Sequence, residues 1–153
     1  MKLFPWQKNK PLLDEEENRL IVKAIRQAEK RTSGEVRVYV ESRCRFMDAI
    51  DRAAELFFSL QMEKTDDRNA VLVYIALKDH QLAVFADEGI YKKTGADYWN
   101  NVVKEMLSTF NKQDYAKGIA ECVIQIGEAL TTHFPYDNDT DKNELPDQIV
   151  FGK

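Results

Sequence analysis

Apolar positions recur along the chain with two different periods, and the periods divide it into elements. Leu20, Ile21, Ala24, Ile25 and Ala28 fall at helical spacing through about Arg31, behind an Asp14/Glu17 capping box. Thr32-Ser33-Gly34 breaks that helix, and Glu35-Val-Arg-Val-Tyr-Val-Glu41 alternates strictly, the pattern of a strand. Ala49, Ile50, Ala53, Ala54, Phe57 and Phe58 mark a second helix ending near Met62. Ala70 to Leu77 is apolar on both faces, which predicts a central strand covered on each side. Lys78-Asp79-His80-Gln81 turns the chain, and Leu82 to Ala86 returns as a third strand. A connection so short joins antiparallel neighbours. Asp87-Glu88-Gly89-Ile90 and Thr94-Gly95 frame a loop with one helical turn. Two further helical stripes follow: Trp99, Val102, Val103, Met106, Leu107 and Phe110, then Tyr115, Ile119, Cys122, Val123, Ile126 and Leu130.

The order α-β-α-β-β-α-α predicts a right-handed parallel pair extended by an antiparallel hairpin strand. With helices on both faces, this is a three-layer α/β/α sandwich around a mixed sheet, with room for a short fourth strand. Residues 1–13 lack a period and read as a flexible arm, with Phe4 and Trp6 as docking points. Residues 14–135 form the domain, and residues 136–153 an acidic tail whose Leu145–Phe151 stretch is apolar enough to be pinned to the body.

Composition narrows the class. The 153 residues suffice for one domain with its own core, 44% of them being hydrophobic. A formal charge of −4, with no Lys/Arg cluster legible on one face, argues against nucleic acid as a partner. No apolar run reaches the roughly 18 residues of a membrane span. The first residues lack a secretory h-region, and Cys44 and Cys122 form no Cys-x-x-Cys pair, so a cytoplasmic protein with two reduced thiols is expected.

The predicted topology gathers acids. Glu35 opens the first strand, Asp66 and Asp67 precede the second, and the third runs the opposite way and ends at Asp87-Glu88. Three loops thereby bring five carboxylates to one sheet edge, where they must stay solvated, take up protons or share a cation. Oxygen donors from several loops suit Ca²⁺ or Mg²⁺ better than zinc. The structural alternative is an edge that is acidic because it is wet.

Other motifs fall short. Asp137-x-Asp139-x-Asp141 lacks the Gly and Glu of an EF-hand loop, having Lys142 and Gln148 there. Gly89 to Gly95 lacks the Lys-Ser/Thr ending of a P-loop. Cys44 is followed at once by Arg45 rather than by a phosphate cradle, and neither His80 nor His133 has a nucleophile partner. Lys92 and Lys93 flank the acids and could hold a phosphate beside a metal.

Three segments resemble one family. Thr32-Ser33-Gly34-Glu35-Val36-Arg37-Val38 is similar to the Ser-Gly-Glu-Ile/Val opening of TPM domains. Asp67-Arg68-Asn69-Ala70-Val71-Leu72-Val73 resembles their Arg-Asn-Gly-Val-Leu-Ile strand, with Ala70 in place of Gly. Asp87-Glu88-Gly89-Ile90 followed by Trp99 looks like their Gly-Asp-x-Gly-Ile…Trp segment, with Ala86 in place of the first Gly. The resemblance spans about residues 14–135. It implies an α/β/α sandwich, divalent-cation binding near these loops in some members, and weak phosphatase activity in the plant branch. Carried onto this chain, the metal set is Glu35, Asp66, Asp67, Asp87 and Glu88, with Arg68 as a phosphate or ion-pair partner.

Two functions are therefore expected. One is a soluble Ca²⁺- or Mg²⁺-binding domain with an interaction or regulatory role and a protein partner. The other is a metal-assisted phosphomonoesterase in which Arg68 or Lys92 clamps the phosphate. Binding ranks first, because no nucleophile or base with a supporting partner can be named.

Overall fold

The computed structural model describes residues 12–110, 114–136 and 147–152. Most of the N-terminal arm, with Phe4 and Trp6, and the Asp137-x-Asp139-x-Asp141 run lie outside these residues. Its elements are α1 (Glu15–Glu29), β1 (Glu35–Glu41), α2 (Ala49–Ser59), β2 (Ala70–Ala76), β3 (Gln81–Ala86), α3 (Glu88–Thr94), α4 (Ala96–Phe110), α5 (Tyr115–His133) and β4 (Val150–Phe151).

The sheet runs β3-β2-β1-β4. β1 and β2 are parallel, Glu35 opposite Ala70 and Glu41 opposite Ala76. β3 returns antiparallel to β2 with Val71 opposite Ala86, the mixed sheet expected from the four-residue turn. The fourth strand is β4, parallel to β1 through the pairs Tyr39–Val150 and Val40–Phe151. It comes from the apolar end of the tail, where its two residues were too short a run to show a period.

Alternation in β1 and the all-apolar β2 create two cores. Val36, Val38, Val40, Val71, Val73 and Ile75 face α1, α4 and α5. Tyr39, Leu72 and Tyr74 face the other way, onto Ala53, Leu56 and Phe57 of α2. One helix thus covers one face and several the other, which leaves part of the predicted α2 stripe in water: Ile50 and Phe58 are exposed. Asp14 caps α1 as expected, its carboxylate accepting from Glu17 N–H at 2.8 Å while Glu17 accepts from Asp14 N–H at 2.9 Å. α1 and α5 pack closely because Gly127 has no side chain; a Cβ there would lie 2.5 Å from that of Ala28. Both cysteines are free and buried. No helix among the described residues is long and apolar enough to cross a membrane.

The segment after β3 differs from expectation. Where the sequence suggested a loop with one helical turn, α3 runs from Glu88 to Thr94. Asp87 starts it by accepting from Glu88 N–H at 2.8 Å, and Gly95, at φ 82°, ends it.

Candidate functional site

Chain direction does bring the three loops to one edge. Glu35 N–H donates to the Asn69 carbonyl at 3.3 Å, and Asp87 N–H donates to the Ala70 carbonyl at 2.9 Å. The start of β1, the loop before β2 and the end of β3 are therefore stitched together by backbone bonds. Asn69 is buried in the seam, its amide donating to Ser33 Oγ at 3.4 Å and its N–H to Thr65 Oγ1 at 3.3 Å.

At the centre stands an ion pair. Arg68, in the left-handed region at φ 51°, directs Nε and Nη2 onto the two Asp87 oxygens at 2.7 and 2.8 Å. Its Nη1 lies 2.9 Å from Glu88 Oε1. The Asp87 side chain is only 3% exposed, so the guanidinium supplies the charge that a buried carboxylate requires. The same hydrogen bonds raise the Arg68 pKa. Gly89 makes this approach feasible: its N–H donates to the Arg68 carbonyl at 2.8 Å. A Cβ at that position would meet the carbonyl oxygens of Asp67 and Arg68 at 2.1 and 2.6 Å.

The five expected metal ligands are divided by this geometry. Asp87 and Glu88 share Arg68, while Asp66 and Asp67 lie exposed on the adjoining loop. Glu35 is buried and belongs to another group, beside Glu29 at the end of α1. Glu29 accepts from Val36 N–H at 2.8 Å. Burial, a hydrogen bond to Asp147 and the neighbouring Glu35 charge push its carboxyl up to about 10. Lys92 is exposed on α3 and has no hydrogen bond or ion pair among the described residues, while Lys93 donates to the His133 carbonyl and sits over the Phe134 ring.

The carboxylates do not converge into a cage: among the described residues no group of three or more His, Cys, Asp and Glu could hold a metal ion. The positive charge at this edge comes from Arg68. Repeated acids were legible as a pattern, but the pairing that neutralises two of them was not. Glu29 and Asp147 escaped notice because one closes an ordinary amphipathic helix and the other lies in an acidic tail.

The TPM domain model matches residues 7–129, which takes in all three edge loops. The chain belongs to the TPM domain family. This TPM domain is similar to the BA42 protein from the psychrophilic bacterium Bizionia argentinensis, solved by NMR. The two are 36% identical over 95% of this chain and 99% of that one, with a TM-score of 0.86. A second NMR structure, the N-terminal domain of the cg2496 protein from Corynebacterium glutamicum, matches 78% of this chain and 74% of its own. Its TM-score is 0.62 at 10% identity, a likeness of fold alone. No curated protein matches.

Proposed function

We propose that this TPM domain is a binding module whose 66–88 edge takes a divalent cation, Ca²⁺ ahead of Mg²⁺, in exchange for Arg68. The observation that carries the reading is the Arg68 guanidinium across Asp87 and Glu88, a cation already seated on hard oxygen donors. An incoming ion would use Glu88 and Asp87 with Asp66 and Asp67 from the neighbouring loop. Among the described residues no cage is preformed, so binding would require loop movement; Ca²⁺ tolerates irregular oxygen shells better than octahedral Mg²⁺. Glu35 is left out of the set, since it lies buried beside Glu29. Displacement of Arg68 couples ion binding to the position of α3, which gives the module a regulatory output.

Binding stands ahead of phosphomonoester hydrolysis because three Arg68 nitrogens are already engaged by carboxylates. A phosphate would have to compete with them. Titration of the labelled protein with Ca²⁺ and Mg²⁺, followed by amide chemical shifts, tests the reading. Shifts confined to residues 66–68 and 87–89, weakened by Asp67→Asn and Glu88→Gln, are expected. Shifts elsewhere, or none at millimolar ion, would overturn it. Turnover of p-nitrophenyl phosphate that is lost in Glu88→Gln would instead favour the hydrolase.

A further inference from the structure

No cluster of basic residues on one face is legible in the sequence, but the fold assembles such a face. Arg19, Lys23 and Arg26 stand at i, i+4 and i+7 of α1, Lys30 continues the stripe at i+11 as its C-cap, and Arg31 follows it. All five are exposed. All five line an open groove of about 1280 Å³. Among the described residues, only Arg26 of the five has an acidic partner, Asp147 at 3.8 Å. Like charges at this spacing destabilise a helix, so the stripe is held against a local cost in a chain whose net charge is negative.

The opposite wall of the groove is Gln148, Ile149 and Phe151. Among the described residues it is the edge of the sheet, because β4 ends the strand order. Gly152 N–H donates inward to the Val40 carbonyl at 2.8 Å. Alternation along a parallel ladder therefore turns the Phe151 N–H and carbonyl outward. Phe151 is 47% exposed beside them. The groove combines a strand edge with no partner among the described residues, an apolar ledge and a row of cations.

We infer that this groove binds an extended acidic segment of a partner protein, which adds as a strand along β4 and lays its carboxylates on the α1 stripe. Backbone pairing would supply registry and the cations the preference for acids. A nucleic acid fits less well: it cannot use the strand edge, and the negative charge of the remaining surface repels a long polyanion. The site is independent of the 66–88 loops, which lie toward the other end of the strand order.

Fluorescence anisotropy with the full chain and a labelled peptide of alternating Glu and Thr, about twelve residues long, tests the proposal. Salt-sensitive binding is expected, with the Phe151 amide shifting in NMR. The Lys23→Glu/Lys30→Glu variant, changed only at exposed positions, should bind at least about tenfold more weakly. Unchanged affinity in that variant, equal binding of an alternating Lys and Thr peptide, or an unmoved Phe151 amide would overturn the inference. Tighter binding of a thymidine oligonucleotide of equal charge would make the groove a nucleic-acid surface and overturn it too.

Discussion

Arg68 and Asp87 face each other in a two-pronged ion pair, guanidinium Nε and Nη2 on the two carboxylate oxygens at 2.7 and 2.8 Å. Arg68→Gln leaves a buried carboxylate without its charge partner and should lower Tm. It also vacates the position proposed for the cation. Calcium affinity by calorimetry should rise about tenfold, and added Ca²⁺ should recover part of the lost Tm. A variant that loses stability without gaining affinity would separate the ion pair from cation binding.

Gly89 controls the same junction through its backbone. In Gly89→Ala the new methyl would fall 2.1 Å from the Asp67 carbonyl oxygen, a contact with main chain that no rotamer relieves. A loss of about 1–3 kcal/mol in denaturant unfolding is expected, together with altered amide shifts at Asp67 and Arg68.

Glu29 should make stability fall as pH rises. Its carboxyl titrates near 4.5 ordinarily and is pushed up to about 10 in the fold. Between those values the folded chain holds a proton that the unfolded chain releases. The contribution is therefore fully present below about pH 4.5 and lost as pH climbs through about 10. Glu29→Gln keeps an acceptor for Val36 N–H and cannot ionise. It should be the more stable protein at about pH 9, by about 1–3 kcal/mol, and the gap should close toward about pH 5. Parallel Tm profiles for the two proteins would refute this.

On the α2 face, Glu41 is buried under Arg52, whose Nε and Nη2 stand 3.0 and 3.1 Å from its oxygens, and it also accepts from the Tyr74 hydroxyl. Arg52 is partly solvated, so Arg52→Ala should cost about 1–3 kcal/mol, less than a fully buried pair. Tyr74→Phe should cost about 1–2 kcal/mol. The double variant should lose less than the sum, because both act on one carboxylate.

Sequence reasoning reached the candidate edge through a single inference, that four residues cannot cross over a sheet. An antiparallel β3 brings Asp87 and Glu88 to the edge where Glu35, Asp66 and Asp67 lie. Side-chain direction lay beyond it. Glu35 and Glu41 open and close the same strand and read alike in sequence, yet one meets Glu29 and the other Arg52. Of the helix at Glu88–Thr94 only one turn is legible in the sequence, because seven residues carry too few apolar positions to establish a period.

The chain by itself determined its α/β layering, the direction of its strands and the convergence of the acidic loops. Periodicity, turn length and the handedness of crossovers act locally and are written in residue order. Tertiary structure alone decided which acids are paired with Arg68 and which, like Glu29, are pushed by burial toward the protonated form, and joined the α1 cations to the β4 edge. Those outcomes depend on contacts between segments 19 residues apart, as for Arg68 and Asp87, or more than a hundred apart, as for α1 and β4, where packing and desolvation choose each partner.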